Sequence, residues 1–176
     1  MRAVVQRVRR ARVTVRSGGD GDLPSPGGRA AAADRPAERV TGEIGPGFCV
    51  LLSVGPADTE ATSERLAERI ARLRICADEA ERMNLDLEQT GGSVLLVSQF
   101  TLHADTSRGH RPSFLGAAPP ELARRLCEHF RAALERRGLT VATGEFGAQM
   151  QVELVNDGPV TLVLSSGEGP WPADAG

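Results

Sequence analysis

The sequence predicts an α/β domain in which two amphipathic helices cover a curved sheet. Predicted strands outnumber predicted helices along the chain. Each helix has one apolar stripe, and such a stripe needs a sheet or another helix to cover it. The 176 residues are the size of one domain, long enough for a substantial core and short for two.

In the first half of the chain, apolar alternation predicts strands at 3–8, 11–15, 40–44 and 48–54. Residues 16–39 are rich in Gly, Pro, Ala, Asp and Arg without periodicity, which predicts a flexible low-complexity insertion. A helix follows the fourth strand, with Asp58 or Thr59 as its N-cap. Its apolar face carries Leu66, Ile70 and Leu73.

In the second half, residues 83–85 read as part of a loop and residues 93–102 as the strongest strand. A second helix begins at residues 119–121, where proline suits the first turn, and ends at Gly138. Its apolar stripe consists of Leu122, Leu126, Phe130 and Leu134. Strands at 139–143, 148–155 and 160–164 complete a single predicted domain of residues 1–165, and residues 166–176 read as a disordered tail.

The composition excludes several kinds of chemistry. The net charge is −2, so a contact with nucleic acid must come from a local patch of charge. All 21 basic residues are arginine, and the chain contains no lysine and no tyrosine. Schiff-base chemistry, a phosphate-loop lysine and a tyrosine general acid are therefore excluded.

The cysteines and histidines predict neither a metal nor a cofactor. Cys49, Cys76 and Cys127 are far apart, none belongs to a CxxC pair, and each lies in an apolar pattern typical of a core position. His103 and His110 flank a glycine-containing loop without a settled third ligand.

The chain enters a strand directly after Met1 and has no run of membrane-spanning length, which favours a cytoplasmic protein without a membrane partner.

Two short strings stand out. Residues 98–102 read Ser-Gln-Phe-Thr-Leu and close the apolar run 94–97, so their polar side chains emerge at the end of a buried strand. Residues 156–161 read Asn-Asp-Gly-Pro-Val-Thr and place Gly-Pro between two alternating segments. By residue type alone, the first is a polar strand end and the second an ordinary turn.

Together the two strings resemble the signature pair of the D-aminoacyl-tRNA deacylases of the bacterial and eukaryotic type, the D-tyrosyl-tRNA deacylase family. Further blocks in the same order match at 42–47, 83–85 and 111–114. The likeness covers residues 1–15 and 41 to about 165. The insertion departs from the family, which usually has a tight hairpin there, and loop-closure cost grows slowly enough with length to tolerate it.

The resemblance implies a three-layer α/β/β fold that works as a two-fold homodimer with active sites at the subunit interface. The implied reaction hydrolyses the ester of D-aminoacyl-tRNA, and of mischarged glycyl-tRNA, at the acceptor end. The resemblance further implies that the pocket for the terminal adenosine and the ester is lined by Ser98, Gln99, Phe100 and Thr101. Backbone N–H groups at Phe100 and Thr101 would stabilise the oxyanion, and the 2′-hydroxyl of the tRNA would assist. Thr101 is either a nucleophile or a supporting group.

In the family the bond between Gly158 and Pro159 is cis, and its carbonyls enter the partner subunit's site. There they hold the substrate's α-amino group and leave no room for an L side chain. Arg7 matches an arginine that braces this loop, and Met150 matches a residue of the pocket wall. By residue type alone, Arg7 is equally a surface arginine and Met150 more often a core methionine.

The loop 104–114 also resembles the family. There Arg108 and Arg111 are expected to meet phosphates of the acceptor end. No DNA partner is expected.

Two other classes of protein compete with this interpretation. A non-catalytic RNA-binding module would use Arg108, Arg111 and their neighbours, but the chain has few aromatic residues for stacking bases. A conventional esterase would use Cys127 or Ser98 with His129 or His103. The cysteine lies on an apolar stripe, where a low-pKa thiolate is disfavoured, and the Gly-x-Ser-x-Gly spacing of a nucleophile elbow is missing.

Overall fold

A six-stranded mixed sheet carries the fold. The structure is a computed structural model that describes residues 1–16, 38–107 and 109–166. Most of the predicted insertion, residues 17–37, and nearly all of the predicted tail, residues 167–176, lie outside the described residues.

The strands are β1 (Arg2–Arg16), β2 (Glu38–Ile44), β3 (Gly47–Ser53), β4 (Cys76–Ala77), β5 (Met83–Leu85), β6 (Ser93–Ser98), β7 (Thr140–Thr143) and β8 (Met150–Ser165). The helices are α1 (Glu60–Ala71), α2 (Leu87–Thr90) and α3 (Pro120–Arg136), and a 3-10 turn spans Phe100–His103. β4 and β5 form a separate two-stranded hairpin.

Strand β1 lies at the centre of the sheet. Along one edge it pairs antiparallel with β8 over nearly its whole length. Along its other edge, the first half pairs with β3 and the second half with β2. Strands β6 and β7 then extend the sheet in parallel from β3. The sheet therefore divides on this side of β1 into two parts, β2 alone and β3 with β6 and β7, where the pairing partner of β1 changes from β3 to β2.

Two pairs of predicted strands are each a single strand in the structure. Strand β1 takes the place of the predicted strands 3–8 and 11–15, and β8 takes the place of 148–155 and 160–164. In β1 the register of pairing with β8 shifts on both sides of Val8. Before the shift Ala3 and Val5 are buried in one apolar cluster, and after it Ala11 and Val13 are buried in another. Such irregularities bend a strand without ending it. The break in alternation that suggested a turn is thus a bend within one strand, and β8 likewise continues through residues 156–160.

The bent sheet separates two apolar clusters, which gives the three layers. The first cluster lies between the sheet and the helices α1 and α3. The second lies inside the curve of the sheet, where β2 and the second half of β1 face β6. Strand β6 contributes to both, with Val94 and Leu96 in the first and Leu95 and Val97 in the second. The predicted α/β/β architecture is confirmed.

Both predicted amphipathic helices are present. Thr59 is the N-cap of α1 and forms a capping box with Thr62, so of the two predicted caps Thr59 is the observed one. The helices pack together, and the buried Ser63 Oγ donates to the Leu126 carbonyl across them at 3.1 Å. Helix α3 ends before Gly138, whose φ of +82° suits a residue just past a helix end.

Four local features differ from the prediction. The predicted strand 93–102 ends at Ser98, because the chain then turns into the 3-10 segment Phe100–His103. The short helix α2 was not predicted, and residues 83–85 form strand β5 instead of a loop. The ends of the predicted insertion 16–39 belong to strands, since Arg16 pairs with Glu38 and Arg39 pairs with Val15. No helix in the described ranges is long and apolar enough to cross a membrane.

The close approach of β2 to β7 provides a stability test. A Cβ at Gly42 would lie 2.7 Å from the Thr143 carbonyl oxygen and 3.1 Å from Leu95 Cδ1. We expect Gly42→Ala to lower the free energy of unfolding by about 1–3 kcal/mol, because the backbones of β2 and β7 must separate. The matched control is Gly45→Ala, whose added Cβ would meet nothing within 4 Å. Equal urea midpoints for the two variants would contradict this packing.

Candidate active site

The first signature string forms the end of β6 and the 3-10 turn that follows. Ser98 pairs with Leu52 in the sheet, and the Gln99 N–H donates to the Leu52 carbonyl at 2.7 Å. The chain then turns, as Leu102 N–H bonds back to the Gln99 carbonyl at 3.2 Å. Being first in the turn, the N–H groups of Phe100 and Thr101 donate to no acceptor in the described part of the chain.

The side chains of this string surround a partly open surface. Ser98, Gln99 and Thr101 are half-buried, and Phe100 is 59% exposed with its ring edge-on to Phe114 at 5.2 Å. Gln99 Nε2 donates to Thr101 Oγ1 at 2.5 Å. Within the described residues, no imidazole or carboxylate hydrogen-bonds the hydroxyl of Ser98 or Thr101, so neither has an evident general base.

The second signature string is an irregularity inside β8. Asn156 pairs with Val8 and Thr161 with Gln6, so residues 157–160 stand opposite the single residue Arg7. We call residues 157–160 the bulge. The peptide bond between Gly158 and Pro159 within it is cis.

Asn156 closes the bulge from its base. Its Oδ1 accepts from the Val160 N–H at 2.9 Å, and its Nδ2 donates to Gln6 Oε1 on β1 at 2.9 Å. The sequence predicted a turn here but no particular role for the Asn156 side chain, although an asparagine that bonds its own backbone a few residues on is a recognisable turn signal.

Arg7 holds the bulge in place. Its Nε donates to the Asp157 carbonyl at 3.0 Å and lies 3.3 Å from Asp157 Oδ2. Its Nη1 donates to the Ile75 carbonyl, just before β4. The Arg7 side chain is 15% exposed, whereas Arg9, which also contacts the Asp157 carboxylate, is 76% exposed. Arg7 therefore links the bulge to the segment that precedes β4.

Glycine is required at position 158 for two reasons. Its φ of +143° lies in the region that residues with a side chain rarely adopt. A Cβ there would also lie 2.7 Å from the Val160 nitrogen.

Within one chain the two signature strings are not brought together. Ser98 pairs with Leu52 on β3, and Leu52 pairs with Ala3 on β1, whereas the bulge lies opposite Arg7 on β1. Three strand spacings and four residues of rise separate them, a distance of about 20 Å. The backbone groups of the two strings are therefore too far apart in one chain to touch each other.

The other predicted site residues are dispersed. Met150 begins β8 opposite Val15, far from the bulge, and packs against the second apolar cluster. Arg111 is exposed in the loop after the 3-10 turn, which the backbone pairing of Asp105 with Ser113 closes. Arg108 lies outside the described residues.

The structure gives no support to the thiol or serine esterase. Burial raises the pKa of Cys127 to about 12 and that of Cys49 to about 11, so both thiols stay protonated near neutral pH. His103 bonds to Ser53, 2.6 Å from its hydroxyl, and not to Ser98. His129 Nδ1 is buried with no hydrogen-bond partner among the described residues.

Known proteins resemble this chain both in sequence and in fold. A protein of Roseiflexus castenholzii described as a D-aminoacyl-tRNA deacylase is 52% identical over 166 residues, covering 94% of this chain and 92% of the relative. A solved structure described as a c-Myc DNA unwinding element binding protein is 36% identical, with a TM-score of 0.75, and covers 97% of this chain and 100% of its own. A structure described as a probable eukaryotic D-amino acid tRNA deacylase shares the fold at 14% identity, with a TM-score of 0.68 over 93% of this chain and 97% of its own.

The fold and these matches define a hydrolase that acts on ester bonds. The model of the family described as D-Tyr-tRNA(Tyr) deacylase matches residues 4–165. The chain belongs to that family.

The brace on the bulge can be tested through stability. We expect Arg7→Lys to lower the free energy of unfolding by about 1–2 kcal/mol, because an ammonium cannot serve the Asp157 and Ile75 carbonyls with the same fork of donors. Arg9→Lys is the matched control, since an exposed partner of the same carboxylate should change stability by less than about 0.5 kcal/mol. Urea unfolding measures both, and equal losses would contradict the bracing role.

Proposed function

We propose that this chain hydrolyses the ester bond of D-aminoacyl-tRNA, releasing free tRNA and the D-amino acid, and that it also clears glycine from mischarged tRNA. The observation that carries the proposal is the bulge, in which a glycine-proline peptide is held by Arg7 at a position where no side chain fits. Family membership supports the substrate class. The chain would act in the cytoplasm, where charged tRNA is made and used.

The proposed active site is shared between two copies of the chain. The separation of about 20 Å between the bulge and the 3-10 turn within one copy supports this proposal. Strand β8 pairs only with β1 in the described part of the sheet and exposes Val155 and Val163. A long strand edge with exposed apolar side chains is usually covered. A two-fold dimer would place the bulge of each copy against the turn of the other.

Selection of the D enantiomer would be steric. The bulge presents main-chain carbonyls, which can accept hydrogen bonds from the protonated α-amino group of the substrate. With that group held, an L side chain would point into the backbone of the bulge, whereas a D side chain would point away. Glycine has no side chain to reject and therefore passes, which accounts for the proposed second substrate.

Catalysis would rely on main-chain donors and on the substrate itself. The open N–H groups of Phe100 and Thr101 would stabilise the developing oxyanion, and each such donor contributes roughly 3–4 kcal/mol in other enzymes. The 2′-hydroxyl beside the ester would position or activate the attacking water. Thr101 accepts a bond from Gln99 and has no base beside it, so its role would be supporting.

Contact with the tRNA would be local. The net charge of −2 gives no overall attraction to RNA. Arg111, exposed beside the 3-10 turn, would meet phosphates of the acceptor end, together with Arg108.

Gly158 tests the proposed selection directly. We expect Gly158→Ala to lower kcat/KM for D-aminoacyl-tRNA by about 100-fold or more, because its Cβ disturbs the carbonyls that hold the substrate. The control is Gly138→Ala, which also replaces a glycine of positive φ but meets open space at the end of α3. Both variants should retain the wild-type circular dichroism spectrum. Full activity of Gly158→Ala would contradict the proposal.

The source of catalysis can be tested on both enzyme and substrate. We expect Thr101→Ala and Ser98→Ala to retain hydrolysis within about tenfold of the wild type, since neither hydroxyl would attack the ester. A substrate with a 2′-deoxy terminal adenosine should be bound but not turned over. A Thr101→Ala protein that binds substrate without hydrolysing it would instead make Thr101 the nucleophile. Binding without turnover by the wild type would favour the RNA-binding module.

A further inference from the structure

The last part of the 3-10 turn is fastened to two neighbouring strands. Arg2 Nη1, on β1, donates to the Leu102 carbonyl at 2.7 Å. His103 Nδ1 lies 2.6 Å from Oγ of Ser53, the last residue of β3, which is 2% exposed. The imidazole thus contacts the end of β3.

Ser53 also approaches the beginning of the turn. Its Oγ lies 3.5 Å from the Phe100 carbonyl oxygen, to which it can donate. When neutral His103 carries its proton on Nδ1, the imidazole donates to Ser53 Oγ and leaves the Ser53 proton free for that carbonyl. The three groups then form one chain of hydrogen bonds, from imidazole to hydroxyl to peptide.

That peptide is the one that carries the Thr101 N–H. The carbonyl of Phe100 and the N–H of Thr101 belong to one planar trans unit and point in opposite directions. The 3-10 turn itself orients this carbonyl, and the longer contact with Ser53 adds a second hold on it, and so on the N–H that faces the opposite way. A carbonyl that accepts a hydrogen bond also polarises its peptide, which makes the N–H a better donor.

The surroundings favour the neutral form of the imidazole. Burial lowers the pKa of His103 below its ordinary value, and the positive charges of Arg2 and of the Met1 amino group lower it further. The Asp58 carboxylate, in the loop after β3, acts in the opposite direction but does not reverse the shift. Gly55 allows this packing, since a Cβ there would lie 3.2 Å from His103 Nε2.

From these contacts we infer that His103 and Ser53 are positioning residues that orient the Thr101 N–H as an oxyanion donor. The inference rests on the proposed deacylase function. Residues 98–102 form the turn. Ser53 and His103, which are fifty positions apart in the sequence, orient the N–H group of Thr101 within it.

Steady-state kinetics on D-aminoacyl-tRNA test the pair. Ser53→Ala and His103→Leu should each lower kcat by about tenfold with KM nearly unchanged, because the donor acts on the transition state. His103→Asn should retain most of the activity, since its amide nitrogen can replace Nδ1. The double variant Ser53→Ala/His103→Leu should be no slower than either single variant. The control is His129→Leu on α3, which should leave kcat unchanged.

A second measurement does not depend on turnover. The amide proton and nitrogen chemical shifts of Thr101, followed by NMR, should move in His103→Leu and Ser53→Ala, because they respond to a hydrogen bond at the carbonyl of the same peptide, and should stay near the wild-type values in His103→Asn. Unchanged kcat and Thr101 shifts in His103→Leu, or losses that add up in the double variant, would overturn the inference while wild-type activity upholds the proposed function. A wild type without activity on D-aminoacyl-tRNA would overturn both.

Discussion

The pairing of β8 with β1 is the constraint on which the rest of the structure depends. Opposite Arg7 the two strands lose register, and four residues of β8 leave the ladder as the bulge. The pairing of β1 with β8 resumes at Thr161, so regular antiparallel pairing anchors the bulge at both of its ends. Arg7 and Asn156 add hydrogen bonds at its edges. Backbone groups can then act as a binding surface, because flanking regular structure fixes their positions.

The other half of the site has the same design. Strand β6 is buried on both faces, which leaves it little freedom to shift, and its end delivers residues 98–101 to the surface. The N–H groups that the 3-10 turn leaves open therefore follow directly after a rigid strand. Preorganised main-chain dipoles of this kind can stabilise a developing charge without a reactive side chain. A site of this kind would need no paired acids, metal ligands or activated nucleophile.

The features that the sequence predicted are local ones. The stripe of α3, the Thr59 cap and the apolar run of β6 depend on residues a few positions apart, and all three are present. The continuity of β1 could not be predicted, because the bend arises from its pairing with β8, at the other end of the chain. The contact of Arg7 with Asp157 came from the family resemblance and not from the pattern of residues. The pair of Ser53 and His103 was missed because no local pattern links a strand end to a turn so far along the sequence.

The central claim is that each active site takes its bulge from one copy of the chain and its turn from the other. Subunit complementation measures this directly, by mixing inactive Gly158→Ala with a variant whose pocket is filled, Thr101→Trp, under conditions that exchange subunits. Random pairing in a two-fold dimer makes half of the dimers mixed, each with one intact site, so activity should return to roughly a quarter of the wild-type value per chain. If the mixture stays as inactive as its two components, the site lies within a single chain and the account is wrong.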